Sequence, residues 1–179
     1  MPVRMDKTQE RIKMDLYEKA LQFATAAHAG QVRKYTNEPY IGHPIAVAEI
    51  VRSVPHTEAM VIAALLHDVA EDCDISLEEI AREFGDEVAE LVGWVTNQSK
   101  PDDGDRTTRK AIDRAHIAAA PPAAKTIKLA DVIDNTATAA ERDVEFWKVY
   151  RLEKLALLEV LKDGSKQLWM TAERQCSVG

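Results

Sequence analysis

The run Leu65-Leu66-His67-Asp68-Val69-Ala70-Glu71-Asp72 puts one imidazole and three carboxylates at the end of an apolar stretch. On a helix, His67 and Glu71 stand four apart, as do Asp68 and Asp72, so four polar groups fall on two adjacent stripes. Burying such groups unpaired costs several kcal/mol, so cations or a metal ion must answer their negative charge. Two other segments carry matching chemistry. Tyr40-Ile41-Gly42-His43-Pro44 sets a histidine just before a helix start, and Lys128-Leu129-Ala130-Asp131 sets an aspartate four residues before Asn135. In chain order they make H…HD…D, with His43 24 residues before His67 and Asp131 63 residues after Asp68.

Helices must position these residues. Only 7 Gly and 7 Pro, 6% aromatics and no sustained period-two alternation point to an all-α fold. Ile12, Leu16, Lys19, Phe23 and Ala27 recur at helical spacing, and Gly30 supplies a stop. A polar loop over 31–42 carries Arg33 and Lys34, and Pro44 then opens a helix to about Arg52. After Pro55, Thr57 caps a helix that runs to about Asp72 and is apolar nearly all round, which places it at the middle of the fold. Ser76 with Glu79 forms a capping pattern, Gly85 ends the helix that follows, and Asp86 caps another to about Asn97. The stretch 98–105, with Pro101 and Gly104, reads as a mobile lid or disordered connection. Helical patterns resume over 106–119, after Pro121-Pro122, over 144–162 and near Trp169.

With 179 residues, 46% hydrophobic and 30% charged, the chain is the size of a single domain (1–179) that buries its own core. A metal here is therefore expected to serve chemistry rather than folding. A net charge of −7 lacks the footprint of a duplex nucleic-acid binder, so a polyanion would be gripped locally. The most apolar window, 60–66, is too short for a membrane span, and the N-terminus lacks the apolar stretch of a signal peptide. Cys73 and Cys176 show no metal or redox spacing, which suits a reducing compartment. A cytoplasmic protein without nucleic-acid or membrane partners is expected.

An H…HD…D constellation on a helical chain resembles the HD superfamily of metal-dependent phosphohydrolases. His28-Ala29-Gly30-Gln31-Val32-Arg33-Lys34, Pro39-Tyr40-Ile41-Gly42-His43-Pro44, the run Ala63 to Asp72, Phe84-Gly85 and Lys128-Leu129-Ala130-Asp131 are similar to the hydrolase domain of RelA/SpoT homologues, over about 8–160. That resemblance implies removal of the 3′-pyrophosphate from ppGpp or pppGpp, giving GDP or GTP and pyrophosphate. It also implies a small stand-alone form, since 179 residues leave no room for the synthetase and regulatory regions of long members. The implied metal ligands are His43, His67, Asp68 and Asp131, holding Mn2+. Hard oxygen ligands agree with that choice over thiolate-rich zinc sites, with Zn, Fe and Mg left open.

By the same resemblance Glu71 and Asp72 act on the nucleophilic water, Asp72 as first choice for general base and Glu71 as positioner, their order open. Arg33 and Lys34 line the nucleotide site. Tyr40, Asn135 and Thr138 match positions near the nucleoside and phosphates, and Arg109 and Lys110 reach the distal phosphates. Lys128 reads as structural, His28 as a helix-end residue, His56 and His116 as surface, and Met60 and Trp94 as core. Two departures open the base preference: the loop Tyr35-Thr36-Asn37-Glu38 stands where long members have a shorter Ser-Gly-Glu, and Thr136-Ala137-Thr138 lacks an Arg before the Thr. Adenosine alarmones such as ppApp or pppApp therefore stand beside ppGpp. Rival readings are an HD phosphohydrolase of another 2′- or 3′-phosphorylated nucleotide, such as NADPH, and a catalytically silent nucleotide-binding protein. The sequence does not give the oligomeric state, and a homodimer is open.

Overall fold

The structure, a computed structural model, describes residues 15–34, 36–137 and 139–177; Ile12, Tyr35 and Thr138 lie outside the described residues. The helices are α1 (Leu16–Ala27), α2 (Gly42–Arg52), α3 (Glu58–Leu66), α4 (Val69–Asp72), α5 (Leu77–Phe84) and α6 (Asp86–Val95). A 3-10 turn at Pro101–Asp103 leads to α7 (Arg106–Ala118), α8 (Pro122–Thr136), α9 (Ala139–Arg142), α10 (Val144–Leu158) and α11 (Lys166–Ser177). Among the described residues, extended pairing is confined to one isolated bridge between Val32 and Pro39, so the all-α expectation holds.

Helix starts follow capping chemistry. Thr57, Ser76 and Asp105 accept from the backbone N–H groups of Met60, Glu79 and Thr108. Asp86 is not a cap: Gly85, at φ +95°, precedes α6, and Asp86 is its first helical residue. That left-handed backbone is open to glycine at little cost. α2 begins at Gly42 rather than Pro44, which brings His43 into its first turn. The stretch 98–105 is tied down rather than loose: the N–H groups of Gln98 and Ser99 donate to Asp113 at 3.0 and 2.9 Å.

Every residue from Met60 to Leu66 is buried, and α3 packs against α1, α2, α6 and α8. An all-apolar helix has no face to offer water, so it occupies the middle. Truncating Leu65 or Leu66, both fully buried, to Ala would cost on the order of 2–5 kcal/mol. Gly164 lies where a Cβ would stand 2.9 Å from the Leu129 side chain and 3.1 Å from the backbone of Lys125 and Thr126, so the turn before α11 clamps α8. Among the described residues no helix is long and apolar enough to cross a membrane, and Cys73 and Cys176 are unpaired.

Candidate metal centre

Three elements meet at the C-terminal end of α3. The first turn of α2 brings His43, the α3–α4 turn brings His67 and Asp68, and the middle of α8 brings Asp131. His43 and His67 are each 2% exposed. His67 Nδ1 donates to the Ala64 carbonyl at 2.8 Å, and His43 Nδ1 donates to Asp134 Oδ2 at 2.7 Å. Each ring thus commits Nδ1 as a donor and aims Nε2 inward. His43 Nε2 stands 3.3 Å from Asp131 Oδ1 and 3.5 Å from Asp68 Oδ2. His67 Nε2 stands 3.1 Å from Asp68 Oδ2 and 3.8 Å from Asp131 Oδ1, and it is buried without a hydrogen-bond partner.

Imidazole nitrogens and carboxylate oxygens that converge this closely need positive charge between them, either a proton or a metal ion. Ligand atoms of His43, His67 and Asp68 lie within 4.8 Å of one another, close enough for one ion. The titration behaviour carries the same demand. Burial alone would lower the His67 pKa, but Asp68 and Asp131 overcome it and raise the value to about 10. Burial opposes ionisation of Asp131, yet Lys128 at 2.9 Å and both imidazoles hold its carboxyl well below the usual range. Asp68 is likewise held low, by His67 first, against its burial. Tyr40 donates its phenol to Asp68 Oδ2 at 2.6 Å, and burial and Asp68 push its own pKa up.

The helix expected to reach Asp72 stops at Leu66, with His67 as its C-cap. His67 inserts its ring N–H onto the Ala64 carbonyl, an acceptor the helical ladder would otherwise use, and such insertion breaks helices. The acidic pair therefore projects from the separate turn α4 and not from two stripes of one helix. Glu71 is gripped by Asn97, whose Nδ2 and backbone N donate at 2.8 and 3.3 Å. Partial burial, then Asp68 and Glu71, raise the Asp72 pKa.

Two cavities flank this centre. One, of about 230 Å³, is lined by Glu71, Asp72, Asp68, Asp131, Lys110 and Lys154 among others. The other, of about 380 Å³, is lined by Arg33, Lys34, Glu38, Asp134, Phe146 and Tyr150 among others. Tyr40, His43 and Asn135 face both. The structure thus gathers Arg33, Lys34, Tyr40, Asn135 and Lys110 around the two histidines. Arg109 opens onto an adjoining groove beside Lys100 and Pro101, which Glu71 and Lys110 also line. His116 is no plain surface residue: its ring stacks on Trp94 at 5.0 Å, its Nε2 meets the Gly93 carbonyl at 3.1 Å, and both rings line the first cavity. Trp94, half-buried, packs against the core as expected and lines that cavity as well. Lys128 also lines that cavity while paired with Asp131. His28 caps α1 and packs its ring 4.9 Å from Tyr40, in keeping with a helix-end residue.

Asp134, overlooked in the sequence, is the main addition. Its Oδ2 takes both His43 Nδ1 and the Arg33 guanidinium, the latter at 2.8 Å. The signal for it was available, since Asp131, Asp134 and Asn135 fall at i, i+3 and i+4 on one face of α8. Asn135 in turn donates to Asp131 at 2.5 Å.

Residues 20–157 match the HD domain family model. The chain belongs to the HD domain family. This HD domain is 52% identical over 82 residues to a probable guanosine-3′,5′-bis(diphosphate) 3′-pyrophosphohydrolase of Synechocystis, covering 46% of this chain and 11% of that one. It is 38% identical over 122 residues to a guanosine-3′,5′-bis(diphosphate) 3′-pyrophosphohydrolase of Drosophila melanogaster, covering 66% of each. A solved structure of a metazoan ortholog of SpoT, described as hydrolyzing ppGpp, matches with TM-score 0.80 and 30% identity over 89% of this HD domain and 93% of that chain. The HD domain therefore spans about a tenth of its long bacterial relative and about two thirds of the Drosophila one. Divalent metal binding, implied by the family, fits the set of two buried histidines, His43 and His67, with the half-buried Asp68.

Proposed function

We propose that this chain hydrolyses the 3′-pyrophosphate of ppGpp-type alarmones, with Mn2+ held by His43, His67, Asp68 and Asp131. The names of the Synechocystis and Drosophila relatives support the substrate class. The observation that carries the mechanism is the placement of Glu71 and Asp72 in one cavity and of Arg33 and Lys34 in the other, with His43 between them. In-line displacement at phosphorus needs the attacking and leaving oxygens on opposite faces, and a division into two cavities supports that reading.

The nucleoside then occupies the Arg33 side. The Arg33 guanidinium is held by Asp134, and Phe146 and Tyr150 offer apolar rings to a base. The 3′-diphosphate reaches across His43 toward Asp72. A divalent ion at the four ligands would supply charge neutralisation on the phosphoryl group and acidification of a water molecule. Asp72, whose pKa is raised, accepts the proton of the attacking water, and Glu71, fixed by Asn97, orients that water. The Tyr40 phenol, bonded to Asp68, holds that carboxylate in one orientation. Two imidazoles with two carboxylates favour Mn2+ through their hard oxygens.

A net charge of −7 and two unpaired cysteines support a small nucleotide substrate in a reducing cytoplasm, not a nucleic acid or membrane. The deciding experiment is a parallel turnover assay with Mn2+, Zn2+, Fe2+ or Mg2+ on ppGpp, ppApp and NADPH, with products separated chromatographically. Pyrophosphate with GDP or ADP is the expected outcome, and it also settles the base. Orthophosphate from NADPH alone overturns the alarmone reading, and silence on all three by metal-loaded protein removes it as well.

A further inference from the structure

Several cations near the centre are already answered by carboxylates. Arg33 pairs with Asp134 at 2.8 Å, Lys128 with Asp131 at 2.9 Å, Lys125 with Asp163 at 3.1 Å and Arg106 with Glu153 at 2.6 Å. Lys154 is different. It is half-buried in the wall of the Asp72 cavity, and no carboxylate of the described residues lies within ion-pair distance of its amine. The carboxylate next to it in the chain, Glu153, is taken by both Nε and a terminal nitrogen of Arg106, at 2.6 and 2.9 Å. The contact that remains is the face of Tyr150, whose centroid is 4.7 Å from Nζ.

Leaving an ammonium in a cavity wall without a counter-charge is costly unless an anion arrives there. Lys110 lines the same wall, also without a described carboxylate partner. Burial lowers the Lys154 pKa to about 8, with Lys128 and Lys110 adding to the fall and Asp131 opposing it, so the amine is still mostly charged at neutral pH. Its place on α10 gives the direction. Phe146 and Tyr150 line the nucleoside cavity, and Lys154 lies one helical turn further, roughly 5 to 6 Å along the axis, in the hydrolytic one. That is the direction in which a diphosphate extends from a ribose seated beside Tyr150.

We propose that Lys154, sharing the wall with Lys110, seats the distal phosphate of the 3′-diphosphate and thereby fixes which bond is cut. This rests on the alarmone reading. With the distal phosphate held, the proximal phosphorus is the one presented to the water. The water oxygen bonds to that phosphorus, its bond to the ribose 3′-oxygen breaks, and the 3′-oxygen takes a proton to become a hydroxyl. The proximal phosphorus, now carrying the water's oxygen and still bridged through oxygen to the distal phosphate, departs as pyrophosphate, so the P–O–P bridge stays intact.

Binding of inorganic pyrophosphate and of orthophosphate to the full chain, in buffered excess Mn2+, tests the seat without turnover. Lys154→Met should weaken pyrophosphate at least about tenfold, the lower end of what a charge-assisted hydrogen bond contributes, and leave orthophosphate within about twofold. Lys154→Arg should restore most of the loss, which a folding defect would not do. Lys162→Met, an exposed position paired with Glu159, should change neither. Equal loss for both anions, no loss for either, or no recovery in Lys154→Arg overturns the proposal. Wild-type protein that leaves ppGpp intact while Lys154→Met still loses pyrophosphate selectively overturns the alarmone reading alone. Turnover of ppGpp with unchanged pyrophosphate binding in Lys154→Met overturns the seat alone.

Discussion

His43 and Asp134 are joined by a 2.7 Å hydrogen bond, and the carboxylate oxygen that makes it also receives Arg33. One oxygen therefore fixes the Nδ1 proton of an inward-facing imidazole and the position of a guanidinium in the wall of the larger cavity. Partners of this kind typically govern metal affinity by about 10–100-fold. Asp134→Asn is expected to weaken Mn2+ by that order and to raise the KM for substrate, read by metal titration and steady-state kinetics. Wild-type metal affinity in the variant would remove Asp134 from the positioning of His43.

Asp68→Ala removes the oxygen toward which both imidazoles and the Tyr40 phenol point. The expected result is loss of bound metal and of all turnover, with metal content per chain measured by elemental analysis. A fully loaded Asp68→Ala protein would mean that the ion is held elsewhere.

Asp72→Asn should separate metal from chemistry. The carboxylate lines the cavity but is no part of the His43, His67 and Asp68 set, so metal content is expected to stay whole. Turnover is expected to fall by about 10²–10⁴, the usual contribution of a general base. Retention of near wild-type rate would pass the role of base to Glu71.

Arg33→Ala is expected to raise KM more than it lowers kcat, because a cation on the nucleoside side binds ground state and transition state alike. A loss confined to kcat would place Arg33 at the reacting phosphate instead.

Metal removal should expose a pH-dependent weakness. In the metal-free chain the His67 pKa rises from its ordinary 6.5 to about 10. A raised pKa stabilises the fold fully below the unfolded value and ceases to do so as pH climbs through the folded one. Chelated protein is therefore expected to show a falling Tm as pH rises above about 6.5, continuing toward about 10. Mn2+-loaded protein, with the ion where that proton would sit, should lack this part of the decline. Thermal unfolding of both forms across that pH range is the check, and parallel curves would contradict it.

Much of this was readable from residue types and spacing, because the relevant physics is local. Thr57 and Ser76 announce helix starts through a side-chain oxygen within three residues of the N–H it accepts. The apolar run Met60–Leu66 announces a central helix in the same way. His43, His67, Asp68 and Asp131 were legible through their order, and the fold brings them together. What escaped depends on contacts across the chain. Asp134 acquires meaning only when α8 lies against α2, 91 residues away in sequence. The break after Leu66 depends on a side-chain bond that competes with the helix, which periodicity cannot register. Lys154 and the Trp94–His116 stack are ordinary helix residues until α6, α7 and α10 close around one space.

Among the described residues, the two cavities share Tyr40, His43 and Asn135. Substitutions at Thr36, Glu38, Phe146 or Tyr150 can thus alter which nucleoside is accepted while Glu71, Asp72 and Lys154 keep their surroundings. On the proposed function, such a division would let substrate preference change by small steps while the hydrolytic residues stay untouched.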